Sequence, residues 1–381
     1  MVQKRNRYLL KTSQPKPVTH TRRKKSIPTP YTYHKSVLLS HILTHVLHRT
    51  DKLIVDATLG EGGHSEAFLT LGKQVIGIES DPIILNAAKQ RLTKFSPQIH
   101  YINDNFKNIA SSLAAYAKQI DVILFDLGIS KFHYFKSGRG FSFSKAEPLD
   151  MRLCPEKITL TAHQIINHFS EKELASLFTR YGEERRSQFY AQAIVSERRK
   201  TPFTTSLQLA TFIQNISPPF MRMKSLHPAT KIFQALRIRV NDEITILRSS
   251  ILAALSLLRD NGRVAVISYH SLEDREIKNL FKNLTQLNEN IYRYLTPTGG
   301  FHLHNDALHP SKSTTQHKQP TIQSSLPGVN KLTPTPLKQR SEVSFQTLTK
   351  KVIKPSNSEI QSNASARSAK MRVLIKTSHS L

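Results

Sequence analysis

The sequence predicts an α/β protein in which one mostly parallel sheet carries an inserted helical subdomain. Short apolar runs alternate with stretches of helical spacing between residues 53 and 126. Residues 155–225 then show helical spacing almost throughout, and an apolar run at 263–268 resumes the sheet. Strands that alternate with helices are typical of a parallel sheet covered by helices, so we expect that architecture here.

The elements follow in chain order. Apolar runs bounded by turns predict strands at 53–57, 75–79, 99–103 and 121–126. Helical spacing predicts helices at 64–71, 82–92, 171–181, 183–199 and 242–258, and Pro82 suits the first turn of the second of these. Three further runs complete a sheet of seven strands, at 263–268, 344–351 and 371–376.

Composition excludes several classes of protein. The chain has 381 residues, 38% of them hydrophobic, which is enough for a sizeable core in one large domain or two smaller ones. Its single cysteine, Cys154, excludes a disulfide framework. We find no apolar run near the ~18 residues of a membrane helix and no signal-peptide region. We therefore expect a soluble protein of a reducing compartment, the cytoplasm.

The charge is strongly positive. Lys and Arg number 55 against 27 Asp and Glu, a net charge of +28. Residues 1–30 contain nine basic residues and no acid, and residues 301–381 contain twelve basic and three acidic ones. Such an excess favours a polyanionic partner, most often nucleic acid. An acidic membrane surface or simple solubility is the alternative, but no basic amphipathic helix supports the membrane.

Composition shifts divide the chain into six parts. Residues 1–30 are predicted to be a disordered basic arm, with a transit peptide as the alternative. The other parts are a core from 31 to 154, the helical subdomain at 155–225, a second core part at 226–295, a low-complexity loop at 296–342, and final strands with a tail at 343–381.

A glycine-rich loop follows the first strand. Residues 56–64 read Asp-Ala-Thr-Leu-Gly-Glu-Gly-Gly-His and open a helix, so the backbone can approach a ligand closely. Glu79 ends the next strand, where a carboxylate can accept both ribose hydroxyls of an adenosine. The fingerprint of a dinucleotide-binding site would need glycine at position 65, where this sequence has Ser65. S-adenosylmethionine fits better because it has no pyrophosphate and its positive charges suit Asp56, so the loop predicts a methyltransferase.

Two further segments carry polar groups to the same sheet edge. Asp126 ends strand four, where a carboxylate can hold an exocyclic amine and later accept its proton; a turn or capping aspartate is the alternative. Residues 270–275, His-Ser-Leu-Glu-Asp-Arg, follow strand five. Ser271 and Asp274 can also form a helix capping box. The histidines are too scattered, and cysteine too rare, to predict a metal site.

One motif is expected to be a chance match. Residues 217–220 read Ser-Pro-Pro-Phe, as in amino-methyltransferases, but that motif must follow a central strand. The preceding residues, 207–216, have helical spacing.

Eight motifs in order resemble the bacterial 16S ribosomal RNA cytosine-N4-methyltransferase family. They lie at residues 34–39, 60–64, 126–130 (Asp-Leu-Gly-Ile-Ser), 139–143 (Arg-Gly-Phe-Ser-Phe), 148–152, 181–185, 227–238 and 270–275. Asn363 and residues 367–373 resemble the family's closing strand. The resemblance covers roughly 33–290 and 343–377. It implies a class I S-adenosylmethionine-dependent methyltransferase, a Rossmann-like seven-stranded sheet with a helical insertion.

The resemblance also implies the reaction and the cofactor contacts. The reaction is methylation of the N4 amine of a cytidine in the decoding region of small-subunit rRNA. The contacts with S-adenosylmethionine map onto Gly62, Gly63, His64, Glu79, Phe106, Asp126 and His133. At two of these positions the sequence departs from the family. It has Glu79 where the family more often has Asp, and His133 where the family typically has Gln.

We expect direct in-line transfer to a cytidine turned out of its stack. The candidate catalytic residues are Asp126, which would orient the amine, and His270 and Asp274, with Arg275 beside them on the substrate side. Other groups are candidates for contact with RNA, each with core packing or a solvated face as the alternative: Arg139, Phe141, Phe143, Arg185, Arg186, Arg198 and Arg199.

Two other functions stay open at this point. The first is the same chemistry on DNA, and the second is an RNA-binding assembly factor with a vestigial fold. The partner expected is 16S rRNA or the small subunit, with no membrane and no metal. The sequence fits a monomer or a homodimer.

Overall fold

Seven strands form one sheet in the order β3-β2-β1-β4-β5-β7-β6. The computed structural model describes residues 35–222, 226–286 and 342–379. The strands are β1 Leu53–Asp56, β2 Gln74–Ile78, β3 Ile99–Ile102, β4 Ile120–Asp126, β5 Leu258–Ser268, β6 Glu342–Thr347 and β7 Lys370–His379. Strands β1 to β5 pair in parallel, and β7 is antiparallel to both neighbours. The predicted seven-stranded class I fold is confirmed.

The described helices surround this sheet and fill the insertion. They are α1 Leu39–His41, α2 Gly63–Thr70, α3 Pro82–Arg91, α4 Ile109–Ser112, α5 Lys131–Phe135, α6 Ala162–His168, α7 Glu171–Gly182, α8 Ser187–Arg198, α9 Ser206–Ile216, α10 Pro219–Arg222, α11 Thr230–Asn241, α12 Glu243–Leu257, α13 Ser271–Gln286 and α14 Asn357–Ser362. In the described part of the chain, none of these helices has the length and apolar character needed to cross a membrane.

Both faces of the sheet are buried, as a parallel sheet requires. Successive β4 residues point to opposite faces. Ile123 and Phe125 pack with α12 and α13 on one face, while Val122 and Leu124 pack with α2 and α3 on the other. The sheet therefore lies between two apolar layers.

The insertion has an apolar core of its own, built mainly from α6 to α9 and α11. That core also includes Phe141 and Met151, which precede residue 155. Residues 217–220 follow α9 and not a strand, so the predicted chance match to the Ser-Pro-Pro-aromatic motif is confirmed. The hydroxyls of Ser217 and Tyr190 instead share a buried hydrogen bond of 2.8 Å.

The two ends of the described chain are joined beside the sheet. The Leu38 amide donates to Glu359 at 2.6 Å, and the Asn363 side-chain amide donates to the Lys35 carbonyl at 2.9 Å. The predicted basic arm and residues 296–341 lie outside the described residues.

Candidate active site

A cavity of about 540 Å³ opens at the carboxyl ends of β1, β2 and β4. This volume is in the ordinary range for a small-molecule site. Six of the seven predicted cofactor contacts line it: Gly63, His64, Glu79, Phe106, Asp126 and His133. The seventh, Gly62, supports the wall from behind. It has φ +80°, and a Cβ there would lie 2.7 Å from the Leu92 side chain, so only glycine fits.

Glu79 connects the glycine loop to the end of β2. Its carboxylate accepts the Gly60 amide at 3.0 Å and the Asp81 amide at 2.8 Å. Burial raises the pKa of Glu79 to about 7, against the lowering effect of these hydrogen bonds. The carboxylate is therefore fixed in position and retains lone pairs for two hydroxyl groups.

His133 lines the cavity beside Asp81. Its Nε2 atom lies 3.5 Å from a carboxylate oxygen of Asp81, which also binds Arg139 Nη1 at 2.8 Å. Burial lowers the pKa of His133, so the ring is neutral at pH 7. A neutral imidazole, like the glutamine amide of the family, both donates and accepts hydrogen bonds.

Asp126 lines the cavity, and each of its carboxylate oxygens has a polar neighbour. The Tyr269 hydroxyl donates to Oδ1 at 2.6 Å, and His64 Nδ1 lies 3.6 Å from Oδ2. The Asp126 amide donates to Thr58 Oγ1 at 2.7 Å, which fixes the end of β4 against β1. Burial raises the pKa of Asp126, which makes its carboxylate a better proton acceptor.

Asp56 is buried beneath the glycine loop and accepts the Ser65 hydroxyl at 2.7 Å. Burial raises its pKa as well. Serine at position 65, which argued against a dinucleotide site, thus fixes the carboxylate at the end of β1.

A second group of polar residues lies beyond Asp126. Glu273 accepts the Tyr269 amide at 2.8 Å, and its other oxygen lies 3.1 Å from His270 Nε2. Arg237 donates to both oxygens of Glu243, at 2.9 and 2.8 Å. Four of the five residues line the cavity: Tyr269, Glu273, Arg237 and Glu243.

Comparison with known proteins agrees with this geometry. The sequence model of the MraW methylase family matches residues 31–297. The chain belongs to the MraW methylase family. It is 41% identical over 350 residues to "Ribosomal RNA small subunit methyltransferase H" of Treponema denticola, covering 90% of this chain and 97% of the relative. The protein of the same name from Halothermothrix orenii is 35% identical over 347 residues, covering 89% and 97%.

The cofactor of this MraW methylase is S-adenosylmethionine, and the cavity fits it. Glu79 offers acceptors for the ribose hydroxyls. Phe106, which packs edge-on against Phe125 at 5.7 Å, gives an apolar wall for a base. The carboxylate of Asp126 complements positive charge.

Asp274 lies elsewhere in the MraW methylase structure than expected. Its carboxylate accepts Lys370 Nζ at 2.9 Å and Arg372 Nε at 2.8 Å, which ties α13 to β7, and it does not line the cavity. The structure therefore does not bring Asp274 together with Asp126. Its neighbour Glu273 lines the cavity together with Asp126 instead.

The expected capping box at α13 is wrong. The Ser271 hydroxyl donates to Glu183, and Asp274 binds β7. Glu273 is the acid that accepts amides at the helix start, from Tyr269 and His270. Arg275 Nη1 binds the same Glu183 at 2.8 Å, so it joins α13 to the insertion.

For residues 139–143 the structure favours the core-packing alternative over contact with RNA. Arg139 is engaged with Asp81 and with the Leu153 carbonyl, and Phe141 is buried. Phe143 stacks on His227 at 4.5 Å. In the insertion, Arg185, Arg186 and Arg199 are exposed, whereas Arg198 donates to the Ile166 carbonyl.

Within the part of the chain that the structure describes, one group of residues has the side-chain types of a metal site, which sequence spacing did not indicate. Glu243, His270 and Glu273 each place a ligand atom within 4.8 Å of the others. Arg237 already donates to both oxygens of Glu243, and this cation competes with any metal ion for the same carboxylate.

Proposed function

We propose that this protein transfers a methyl group from S-adenosylmethionine to the N4 amine of a cytidine in the decoding region of small-subunit rRNA. The observation that carries the proposal is the partly buried Asp126 carboxylate, which lines a cofactor-sized cavity and accepts a hydrogen bond from the Tyr269 hydroxyl. The curated relatives, whose names describe small-subunit rRNA methyltransferases, support the substrate class.

The chemistry needs an acceptor beside the amine. The lone pair of a cytosine amine is delocalised into the ring, so the amine attacks only when its N–H groups are held and the nitrogen becomes tetrahedral. Asp126 supplies that acceptor, and the Tyr269 hydroxyl keeps its carboxylate from rotating. The raised pKa of Asp126 lets it receive the proton that the amine loses.

The remaining residues of the site bind and orient. S-adenosylmethionine supplies a methyl group made electrophilic by the sulfonium. Glu79 accepts hydroxyl hydrogens, and the glycine loop allows close approach. Arg237 and Glu243, fixed by their paired hydrogen bonds, stand on the side of the cavity beyond Asp126 where the base would enter. Holding both reactants in one geometry supplies much of the rate.

The test is transfer of labelled methyl to small ribosomal subunits that lack base methylation, followed by nucleoside mass spectrometry. We expect N4-methylcytidine, or its 2′-O-methylated form where the ribose is already modified. Cofactor binding without label in rRNA would contradict the proposal and favour a binding factor. Label in DNA instead of rRNA would favour a DNA amino-methyltransferase. A methyltransferase that acts on small-subunit rRNA would work in the cytoplasm, where small subunits are assembled.

A further inference from the structure

One stretch at the mouth of the cavity combines exposed aromatic rings with lysines. We call residues 131–136, which read Lys-Phe-His-Tyr-Phe-Lys, the lip. The side chain of His133 points inward, whereas Tyr134 and Phe135 are 37% and 60% exposed. A single exposed ring is normal on a protein surface, whereas adjacent exposed rings form an apolar patch of the kind that marks a binding site.

The lip is continuous with the cavity. Lys131, Tyr134 and Phe135 line the cavity together with Asp126. The two exposed rings lie side by side, with centroids 6.4 Å apart and planes inclined by 52°. Lys145 Nζ donates to the Phe135 carbonyl at 3.0 Å, which fixes the backbone of the lip.

The charge of this region is uniformly positive. Residues 131–145 contain three lysines and one arginine and no acid. Arg139 is engaged with Asp81 inside the protein, whereas Lys131, Lys136 and Lys145 are exposed. Flat apolar rings set among cations complement a chain of bases joined by phosphates.

We propose that the lip is a docking surface for the single-stranded nucleotides next to the target cytidine, which stack on Tyr134 and Phe135 while Lys131 and Lys136 contact their phosphates. The inference rests on the proposed function and names the part of the protein that receives the RNA strand. A cytidine turned into the cavity leaves its neighbours without a stacking partner, and rings at the mouth replace it.

The first experiment compares Phe135→Ala and Tyr134→Ala with the unchanged protein in steady-state methyl transfer to small subunits. Loss of one stacking ring should raise the KM for subunits about tenfold. The kcat at saturating subunit and the dissociation constant of S-adenosylmethionine should change little. Phe135→Trp should restore the KM because it restores the flat ring.

The matched control is Leu71→Ala. Leu71 is 54% exposed, similar to Phe135, but follows α2 at its far end from the cavity. This variant removes an exposed apolar side chain without touching the lip, and its KM should stay unchanged.

The second experiment tests the lysines. In Lys131→Ala/Lys136→Ala, the slope of log(kcat/KM) against log salt should become shallower by about one unit for each phosphate that the protein no longer neutralises. An unchanged KM in Phe135→Ala with an unchanged salt slope in the lysine variant would overturn the proposal. The proposal would also be overturned if Phe135→Ala weakened the binding of S-adenosylmethionine and left the KM for subunits unchanged. That result would mean that Phe135 only forms a wall of the cofactor cavity. Failure of the unchanged protein to label rRNA would instead overturn the proposed function.

Discussion

At the scale of single residues, the proposed site depends on two partly buried carboxylates to which we assign different tasks. In the proposed mechanism Asp126 acts on the amine and is held by Tyr269, whereas Glu79 is held by backbone amides of the glycine loop and of Asp81. Burial raises the pKa of both, but their partners differ. Substitution at each position should therefore produce a different kinetic signature.

Asp126→Ala should lower kcat by about 10²–10⁴-fold, the usual contribution of a positioned acid or base. The variant should remain folded because Thr58 and the sheet pairing of β4 do not depend on the carboxylate. Methyl transfer and the melting temperature measure the two expectations, and Asp126→Asn is the conservative companion. Full activity in the alanine variant would remove Asp126 from the mechanism.

The binding of S-adenosylmethionine should strengthen as pH rises through about 7. In the free protein the pKa of Glu79 is raised to about 7. Ribose hydroxyls donate to the carboxylate form, so the bound state has a lower pKa and binding releases a proton. The dissociation constant measured by calorimetry should therefore fall several-fold between pH 6 and pH 8.

Glu79→Gln separates this effect from other titrations. The amide cannot ionise, so the variant should bind more weakly at pH 8 and lose the Glu79 part of the pH dependence. An identical pH profile in both proteins would show that another group is responsible.

The residues predicted from sequence and those missed differ in one physical respect. Glu79 and Asp126 end strands of a parallel sheet, and such ends meet at one edge whatever the loops do. Arg237 and Glu243 lie at the junction of α11 and α12, and only tertiary packing brings them to that edge. Tyr269 directly follows β5, so its position after a strand was the available signal.

At the scale of elements, the error over Asp274 has the same origin. Successive residues of a helix point about 100° apart, so only one of Glu273 and Asp274 can face the cavity. Which one does so depends on how α13 packs on the sheet, and periodicity alone does not fix that rotation. The parallel strands β1 to β4, by contrast, were predicted within one residue, because buried parallel strands need continuous apolar runs. The prediction for β5 began five residues too late.

Asp274→Ala should lower the free energy of unfolding by about 1–3 kcal/mol, since two charge-assisted hydrogen bonds between α13 and β7 are removed. Activity per folded molecule should stay near that of the unchanged protein. Denaturant unfolding and methyl transfer measure the two quantities.

Glu276→Ala is the control, because Glu276 lies on the same helix and the described residues show no ion pair for it. Its stability should change by less than about 0.5 kcal/mol. A loss of kcat in Asp274→Ala without a loss of stability would return Asp274 to the catalytic group.

At the scale of the whole molecule, the positive charge is spread unevenly along the chain. The cofactor cavity is built from residues of the sheet edge, whereas nine of the 28 net positive charges belong to residues 1–30. The composition of the sequence shows this excess of positive charge, and from it we predicted nucleic acid as the class of partner. It could not predict where the positive charge meets the cavity, because that depends on the placement of α5.

A chain without residues 1–30 has a net charge of +19, from 28 − 9. Its affinity for rRNA should fall and depend less steeply on salt, because fewer counterions are released on binding. Its affinity for S-adenosylmethionine should be unchanged. Filter binding over a salt series measures the first, and an unchanged salt slope would exclude the arm from RNA attraction.

The join between the chain ends has a consequence for biosynthesis. Ser36 and Val37 line the cavity, and so do Ser365 and Ser368, which lie about 330 residues later. The hydrogen bonds of Glu359 and Asn363 hold the early segment in place. A nascent chain still attached at residue 340 thus has an incomplete cavity wall. Products that stop before residue 359 lack these hydrogen bonds and part of the cavity wall, so we expect them to bind S-adenosylmethionine weakly.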